Sequence, residues 1–248
     1  MILLLKRKTL GFMMTGLFLV GISIGTYNVG LHPNMNKWKE EKVVITSVET
    51  SQKAVALTFD DGPDPEKTSL VLDVLNKHNA HATFFVIGNL AEKQPQLLQK
   101  MAVQGHEVAN HSYSHKDFAS NDTDYFKDEI DKTNALINET TSQKPVLFRP
   151  PGGYLSDKLV ELIKKENLTI AYWTWQQDSK DWKNGNSATS IANHIIKNIQ
   201  PGQIILLHDG SSNGAQTALA VDILLDKLGK DGYRFITMSQ LIKLGNME

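Results

Sequence analysis

The sequence of 248 residues contains no cysteine. Disulfide bonds, thiolate-ligated zinc and a cysteine nucleophile are therefore excluded, whereas reducing and oxidising compartments are both compatible with the chain. An excess of charge is also missing, because 26 basic residues nearly balance 27 acidic ones and leave a net charge of −1. This balance indicates no nucleic-acid partner, and no protein partner is implied either. With 41% hydrophobic residues, the chain can bury the core of one large domain or two small ones.

One long apolar stretch lies near the N-terminus. Lys6-Arg7-Lys8 precedes an uncharged segment at 9–36, whose apolar centre at 10–29 has about the 20-residue length of a membrane-spanning helix. Because the basic cluster precedes the span, we expect the N-terminus inside the cell and the rest of the chain outside. A cleaved signal peptide is the alternative, although no clear Ala-x-Ala cleavage site is present. A buried core helix is a third interpretation.

Short apolar runs alternate with longer amphipathic segments from Ala54 onward. A polar linker at 34–42 and a lead-in strand within 43–48 come first. The predicted strands lie at 54–59, 82–87, 106–109, 146–148, 169–173, 204–207 and 234–236. The predicted helices lie at 67–78, 95–104, 124–140, 156–167, 188–199 and 215–228. This alternation predicts an α/β fold with a parallel sheet, either a barrel or a doubly wound layer.

Most of the chemically suggestive side chains follow these predicted strands directly. They are Asp60 and Asp61 after the first strand, His111 and His115 after the third, Arg149 after the fourth, Asp178 and Asp181 after the fifth, and His208 and Asp209 after the sixth. In parallel α/β folds the active site lies at the carboxyl ends of the strands. We therefore expect these side chains to lie in one site.

Two adjacent carboxylates, Asp60 and Asp61, end the first predicted strand before a turn at Gly62-Pro63. Their mutual repulsion and their loss of hydration must both be offset. A metal ion on one of them does this and leaves the other free as a base. An ordinary acidic turn is the alternative interpretation.

His111 and His115 are four residues apart. On one helical turn their imidazoles point the same way and share a metal ion. With Asp61 they form a set that suits zinc or another divalent transition metal and leaves positions open for water and substrate. Such an open site is typical of catalysis, whereas two surface histidines on a loop are the alternative.

Two prolines, which are rigid, precede two glycines, which are flexible, in the segment Arg149-Pro150-Pro151-Gly152-Gly153. The prolines fix the backbone direction, and the glycines allow the main chain to approach a ligand closely. An N–H group of Gly152 or Gly153 is then available to an oxyanion. Arg149 can hold a carboxylate through a bidentate contact. A simple tight loop is the alternative.

Two further strand ends carry polar side chains. A long polar loop at 176–187 holds Asp178, Asp181 and Trp182, and long loops at strand ends are often functional. His208 lies just beyond a buried strand, where an imidazole that titrates near neutral pH suits proton transfer. A lid over the core is the alternative for Trp182, and a capped strand end is the alternative for His208.

Together these residues resemble the polysaccharide deacetylases, the carbohydrate esterases that share the NodB homology domain. The resemblance extends from about Lys53 to Leu244 and rests on five motifs in the order of the family. The motifs are Thr58–Asp61, His111–His115, Arg149–Pro151, Asp178–Trp182 and Leu206–Asp209. The implied fold is an α/β, irregular (β/α) barrel of about seven βα units. One N-terminal transmembrane helix is predicted to precede it.

The resemblance also implies roles for individual residues. It implies that Asp60 is the general base, that Arg149 orients this base, and that Asp61, His111 and His115 bind the metal ion. It implies that His208 is the general acid with Asp181 as its partner. The N–H of Gly152 is the implied donor to the oxyanion, and Trp182 and Leu206 are the implied walls of the acetyl pocket. Many relatives have a tyrosine where this chain has Gly152. The backbone N–H survives that change, but a side-chain wall of the cleft is lost.

The implied activity is metal-dependent hydrolysis of N-acetyl groups on N-acetylhexosamine units of a cell-wall polysaccharide, with peptidoglycan as the first choice. Such an enzyme is a hydrolase of carbon–nitrogen bonds other than peptide bonds. Its cofactor is one divalent metal ion, with zinc as the first choice and cobalt, nickel or manganese as alternatives. Chitin-like polymers, poly-N-acetylglucosamine and O-acetyl xylan are alternative substrates.

Two other classes of protein fit parts of the pattern. Two histidines and a carboxylate also occur in non-haem iron oxygenases, and a non-catalytic glycan-binding module is the second rival. The expected organisation is a cytoplasmic basic segment and membrane anchor at 1–36, a linker and lead-in strand at 37–52, and the deacetylase domain at 53–248. This predicts a single-pass protein of the cell membrane with its catalytic domain outside, or a secreted protein if the leader is cleaved.

Overall fold

The computed structural model describes residues 34–116, 118 and 122–247. The membrane span predicted at 10–29 lies outside these residues. Within them, no helix combines the length and the apolar composition that crossing a membrane requires. The first described helix, α1 (Met35–Glu40), occupies part of the segment predicted as a linker.

Within the described residues, eight strands form one sheet, and all pairings between these strands are parallel. They are β1 (Val44–Ile45), β2 (Ala54–Asp60), β3 (Thr83–Val86), β4 (Glu107–Asn110), β5 (Leu147–Phe148), β6 (Thr169–Ala171), β7 (Ile204–His208) and β8 (Arg234–Phe235). The order is β1-β6-β5-β4-β3-β2-β7, and β8 pairs with the beginning of β2. The fold is an α/β half-barrel of parallel strands. The predicted parallel α/β class is confirmed, although its form is a half-barrel.

Eight helices accompany the strands in the part of the chain after residue 41 that the structure describes. They are α2 (Lys67–Lys77), α3 (Gly88–Ala91), α4 (Pro95–Val103), α5 (Thr123–Thr141), α6 (Asp157–Lys165), α7 (Ala188–Asn198), α8 (Gly214–Lys230) and α9 (Met238–Gly245). Six of them match predicted helices. Two helices were not predicted, namely α3, which has a single turn, and α9, which begins with a capping box between Thr237 and Gln240.

The segment that follows β6 contacts β7 through backbone pairing. The N–H of Thr174 donates to the carbonyl of Ile204 at 3.0 Å, and Asp178 forms an isolated parallel bridge with Leu206. These contacts place the polar loop after β6 beside the carboxyl end of β7. Residues from the fourth and fifth motifs are thereby brought together.

Every residue of β2 is buried. Val55, Leu57 and Phe59 pack in the apolar layer beneath α2, α7 and α8, whereas Ala54 and Ala56 lie in a smaller layer with α9. Burial of each large apolar side chain contributes about 1.5–3 kcal/mol relative to exposure to water. Because both faces of β2 are packed, its last residue, Asp60, has a fixed position.

Candidate metal centre and active site

The carboxyl ends of the strands surround a cavity of about 400 Å³. Eight of the ten predicted site residues line it, whereas Arg149 and Asp181 lie completely buried behind it. The lining residues are Asp60, Asp61, His111, His115, Pro150, Gly152, Gly153, Trp173, Asp178, Trp182, Leu206 and His208.

Asp61, His111 and His115 bring three potential metal donors together. Oδ1 of Asp61 lies 3.1 Å from Nε2 of His115 and 3.4 Å from Nε2 of His111. Burial raises the pKa of Asp61, but hydrogen bonds from both imidazoles outweigh burial and hold this pKa well below its usual range. The carboxylate is therefore ionised, as a metal ligand must be.

This donor set fits a divalent transition metal, because imidazole nitrogen and carboxylate oxygen are ligands that such ions accept. Nδ1–H of His111 donates to the carbonyl of Arg149 at 2.7 Å. We assign the tautomer from this contact, which leaves Nε2 free to face Asp61. Elsewhere in the described residues, no second group of three side chains is arranged to hold a metal ion.

The two histidines do not lie on a helical turn, so that prediction is wrong. Residues 111–116 form a loop after β4, in which Ser112 and His115 have φ values of +66° and +54°. This left-handed backbone turns both imidazoles toward the same side, and their ring centroids lie 5.0 Å apart. A loop therefore achieves the convergence that the four-residue spacing suggested for a helix.

Asp60 is held by a fully buried arginine. Nη1 of Arg149 donates to Oδ1 of Asp60 at 2.7 Å and to Oγ1 of Thr58 at 2.9 Å. Nε and Nη2 of the same side chain donate to the carbonyls of Ala171 and Tyr172 at 2.8 and 3.0 Å. The predicted bidentate contact is therefore wrong. One nitrogen reaches the carboxylate because the other donors satisfy carbonyls at the end of β6.

His208 is paired with Asp181. Nδ1 of His208 lies 2.9 Å from Oδ1 of Asp181, and the backbone N–H of His208 donates to Oδ2 at 2.8 Å. Burial lowers the pKa of His208, but the hydrogen bond and charge of Asp181, with the charges of Asp60 and Asp61, raise it to about 9. The imidazolium form is therefore stable at neutral pH, while Nε2 is left to face the cavity.

Gly152 lies exposed at the edge of the cavity with a φ of +61°. The N–H of Gly153 donates to the carbonyl of Pro150 at 2.9 Å, so of the two candidate donors to an oxyanion only Gly152 is uncommitted within the described chain. A Cβ at Gly152 would meet nothing within 4 Å. Space therefore admits a larger residue here, but the left-handed backbone strains any residue that has a side chain.

Trp182 and Leu206 line the cavity at different depths. Trp182 is 44% exposed and stands at the rim, whereas Leu206 is 5% exposed and belongs to the floor. Trp173, which the sequence analysis did not select, also lines the cavity. These apolar surfaces border the polar centre formed by Asp60, Asp61 and the histidines.

Sequence reasoning gave no role to two buried polar residues that fix the site. Oγ1 of Thr217 donates to Oδ2 of Asp181 at 2.7 Å, and Glu129 accepts hydrogen bonds from the loop that carries His111 and His115. Both are polar residues at buried positions of amphipathic helices. That mismatch between polarity and helical period is the signal that identifies them.

Comparisons with known proteins give the family of this chain. Residues 47–171 match the polysaccharide deacetylase family. A peptidoglycan-N-acetylglucosamine deacetylase of Bacillus cereus is 40% identical over 200 residues, which are 81% of this chain and 93% of that protein. The peptidoglycan-N-acetylmuramic acid deacetylase PdaC of Bacillus subtilis is 37% identical over 216 residues, which are 84% of this chain and 44% of that protein.

Solved structures share the fold. A peptidoglycan N-acetylglucosamine deacetylase in complex with 4-naphthalen-1-yl-N-oxidanyl-benzamide matches with a TM-score of 0.79 and 34% identity, covering 83% of this chain and 95% of that one. A family 4 acetyl xylan esterase from Clostridium thermocellum, in complex with a cobalt ion, matches with a TM-score of 0.70 and 36% identity over 77% and 91%. A CE4 family pseudoenzyme from Bacillus anthracis matches with a TM-score of 0.74 and 28% identity over 82% and 70%.

Proposed function

The chain belongs to the polysaccharide deacetylase family, and on this premise we propose that it hydrolyses N-acetyl groups on the N-acetylhexosamine units of peptidoglycan. The observation that carries the proposal is the arrangement of Asp60 and His208 around the triad of Asp61, His111 and His115. One cavity thus holds a candidate base, a candidate acid and a candidate metal site.

We propose that Asp61, His111 and His115 hold one divalent cation and that zinc is the native ion. The choice of a transition metal is supported by the donor set and by the cobalt ion named in the similar xylan esterase. When bound, such a cation supplies Lewis-acid chemistry toward the acetyl carbonyl and the attacking water. The remaining steps belong to side chains of the protein.

Asp60 is the proposed general base. Oδ1 is held by Arg149, while Oδ2 lies 3.8 Å from Nε2 of His111 and so faces the triad. A water between Oδ2 and the acetyl carbon would lose its proton to this oxygen and form the new carbon–oxygen bond. Arg149 keeps the carboxylate in one orientation during that transfer.

His208 is the proposed general acid. As the carbon–nitrogen bond breaks, Nε2 gives its proton to the departing nitrogen, because an amide anion is too basic to leave unprotonated. The products are acetate and a free amine on the sugar. Asp181 stabilises the imidazolium before the transfer, and the N–H of Gly152 is the proposed donor to the oxyanion.

The proposed acetyl pocket lies between apolar side chains. Leu206 forms its floor, and Trp182 covers it from the rim. An acetyl methyl group buried there loses contact with water, which contributes on the order of 1 kcal/mol. These residues therefore select for an acyl group of small size.

The choice of peptidoglycan is supported by the names of similar proteins, which include deacetylases of its N-acetylglucosamine and N-acetylmuramic acid residues. A similar xylan esterase keeps O-acetyl xylan as an alternative. We also propose that the segment at 10–29 anchors the enzyme in the cell membrane with the catalytic domain outside. The support is its sequence, namely the basic cluster Lys6-Arg7-Lys8 before an apolar run.

The test is acetate release, measured by mass spectrometry, from peptidoglycan, acetylated chitooligomers and acetylated xylan in parallel. The proposal predicts release from peptidoglycan at the highest kcat/KM. Faster release from chitooligomers or xylan would refute peptidoglycan as the substrate. A metal-loaded protein that releases no acetate from any of the three would refute the deacetylase activity.

The absence of acetate release is a realistic outcome, because a similar protein is named as a pseudoenzyme. A CE4 family pseudoenzyme shares this fold, so the fold alone does not establish turnover. In this chain, however, Asp60 pairs with Arg149 and His208 pairs with Asp181, and Asp60 and His208 line the cavity with the triad. An iron oxygenase would instead contain stoichiometric iron and consume oxygen, which elemental analysis and oxygen uptake measure directly.

A further inference from the structure

A buried carboxylate holds the loop that carries the two candidate histidine ligands. Glu129 lies on α5 and is 5% exposed. Its Oε2 accepts the backbone N–H groups of Tyr113 at 3.0 Å and Ser114 at 2.7 Å. Oγ of Ser114 donates to the same carboxylate at 2.9 Å. Glu129 thus binds the middle of the loop between His111 and His115.

The same loop is held from its other side by α3. The carbonyls of Ser112 and Tyr113 accept the N–H groups of Gly88 and Asn89, both at 2.9 Å. A Cβ at Gly88 would lie 2.6 Å from the ring of Tyr113, so the glycine permits this close approach. The loop is therefore clamped through its carbonyls by one helix and through its N–H groups by Glu129.

The four N–H groups from 112 to 115 all have fixed acceptors. The N–H of Ser112 donates to Oδ1 of Asn110 at 2.8 Å, and the N–H of His115 donates to Oγ of Ser112 at 3.0 Å. The two groups between them share the Glu129 carboxylate. Without that acceptor, adjacent N–H groups in a part-buried loop would lose their partner together.

His115 depends on this backbone more than His111 does. The ring of His111 is fixed by its Nδ1–H, which donates to the carbonyl of Arg149. The hydrogen bond that the described residues show from the ring of His115 to another side chain runs through Nε2 to Oδ1 of Asp61. Its backbone has a φ of +54°, a conformation that persists only where the surroundings impose it.

We infer that Glu129 is a positioning residue for the metal centre. Its carboxylate fixes the backbone of Tyr113 and Ser114, and this backbone aims His115 at Asp61. The inference rests on the proposed function in one respect, namely that Asp61, His111 and His115 bind the metal ion. It adds that Glu129, which lies outside the cavity and does not coordinate the ion, determines the affinity of the site for the ion.

A merely structural role for Glu129 has a different consequence. Loss of a buried hydrogen-bonding partner would then lower the thermal unfolding midpoint of the metal-free chain, while the folded fraction kept its metal affinity. A general effect of negative charge is a third possibility, and Glu92 supplies the matched control for it. Glu92 accepts a hydrogen bond from Oη of Tyr113 at 2.8 Å, so it touches the same loop through a side chain.

The experiment is a titration of the metal-free, full-length chain with Co²⁺, followed by visible absorption. Glu129→Ala should raise the Kd for Co²⁺ by about 10–100-fold, the range typical of supporting groups around metal ligands. Glu129→Gln should raise it less, because an amide oxygen still accepts both N–H groups but forms weaker hydrogen bonds than a carboxylate. Glu92→Gln should leave the Kd and the Co²⁺ spectrum unchanged.

Three results would overturn the inference. The first is a Glu129→Ala variant that folds and binds Co²⁺ with the affinity and spectrum of the wild type. If Glu129→Ala does not fold, the isosteric Glu129→Gln variant decides by the same criterion. The second is a Glu92→Gln variant that loses as much Co²⁺ affinity as Glu129→Gln, which would indicate a general effect of negative charge. A wild-type chain that binds no Co²⁺ would overturn the metal centre as well. Wild-type Co²⁺ binding without acetate release refutes the proposed function alone, because the Co²⁺ affinities still decide the inference.

Discussion

Nη1 of Arg149 lies 2.7 Å from Oδ1 of Asp60, and both side chains are buried. The guanidinium also stacks over the ring of Phe85 at 4.0 Å from its centroid. Arg149 follows β5, whereas Asp60 ends β2, so the contact joins two separate strand ends of the half-barrel. The orientation of the candidate base is therefore set by a residue that needs no contact with substrate.

Arg149→Lys should lower kcat/KM by about 100-fold, the loss that a displacement of about 1 Å can cause. Lysine keeps the positive charge but lacks the planar fork that reaches Asp60 and the carbonyls of Ala171 and Tyr172 together. Steady-state kinetics on acetylated oligomers give the measurement. Arg234→Lys is the matched control, because that arginine is exposed. Wild-type kinetics in Arg149→Lys would contradict the positioning role.

His111→Ala and His115→Ala should each remove bound metal and activity together. A site with three protein ligands has no spare ligand to compensate for the loss of one. Elemental analysis of the purified variants measures the metal content, and His194→Ala, on the exposed face of α7, serves as the control. Full metal occupancy in either ligand variant would count against the assignment.

Asp60→Asn should fold, keep its metal and lose turnover by about 10²–10⁴-fold, the usual contribution of a general base. Asparagine matches the shape of aspartate and still accepts a hydrogen bond from Arg149, but it cannot take a proton from water. Elemental analysis and kcat separate this residue from its neighbour Asp61, whose replacement should cost metal as well. Loss of metal from Asp60→Asn would show that Asp60 is a ligand.

The alkaline limb of the pH–rate profile should report on His208. Its pKa is raised to about 9, so the acid stays protonated at neutral pH and kcat/KM should fall as the pH rises through that value. A cation on Asp61 offsets part of the charge that raises this pKa, and the limb of the loaded enzyme should lie somewhat lower. The test is kcat/KM against pH.

Two variants test that assignment. Asp181→Asn removes the charge that favours the imidazolium, so the alkaline limb should move to lower pH. His208→Ala should lose about 10²–10⁴-fold in rate and, in its residual activity, lack the limb. An alkaline limb that is unchanged in residually active His208→Ala would assign protonation of the amine to another group.

The proposed anchor predicts that the full-length chain sediments with membranes and is released by detergent but not by high salt. Deletion of residues 1–33 should make the protein soluble, since the apolar run at 10–29 would be gone. Immunoblotting of cell fractions gives the measurement. A mature extracellular protein whose N-terminus begins beyond about Tyr27 would refute the anchor.

The positions of the candidate site residues along the chain follow from patterns in the sequence. Short apolar runs and amphipathic segments predict the strands and helices, and parallel strands expose their carboxyl ends at one edge of the sheet. Together these two features predict that Asp60, Asp61, His111, His115 and His208 lie in one site. Such patterns are local, because they depend on neighbours within a few residues. Local ambiguity also explains why the helix predicted at 215–228 continues to Lys230 in the structure, where Gly232, with a φ of +84°, provides the turn.

The contacts that hold those residues in place form between parts of the chain that are distant in sequence. Arg149 and Asp60 are 89 positions apart, and His208 and Asp181 are 27 apart. Packing brings together the groups that form three of the contacts at the site. They are the single Arg149 nitrogen that donates to Asp60, the Gly153 N–H that donates to the carbonyl of Pro150, and the hydrogen bonds of Glu129 to the histidine loop. No periodicity encodes such contacts, because a buried donor takes the acceptor that the fold brings nearest.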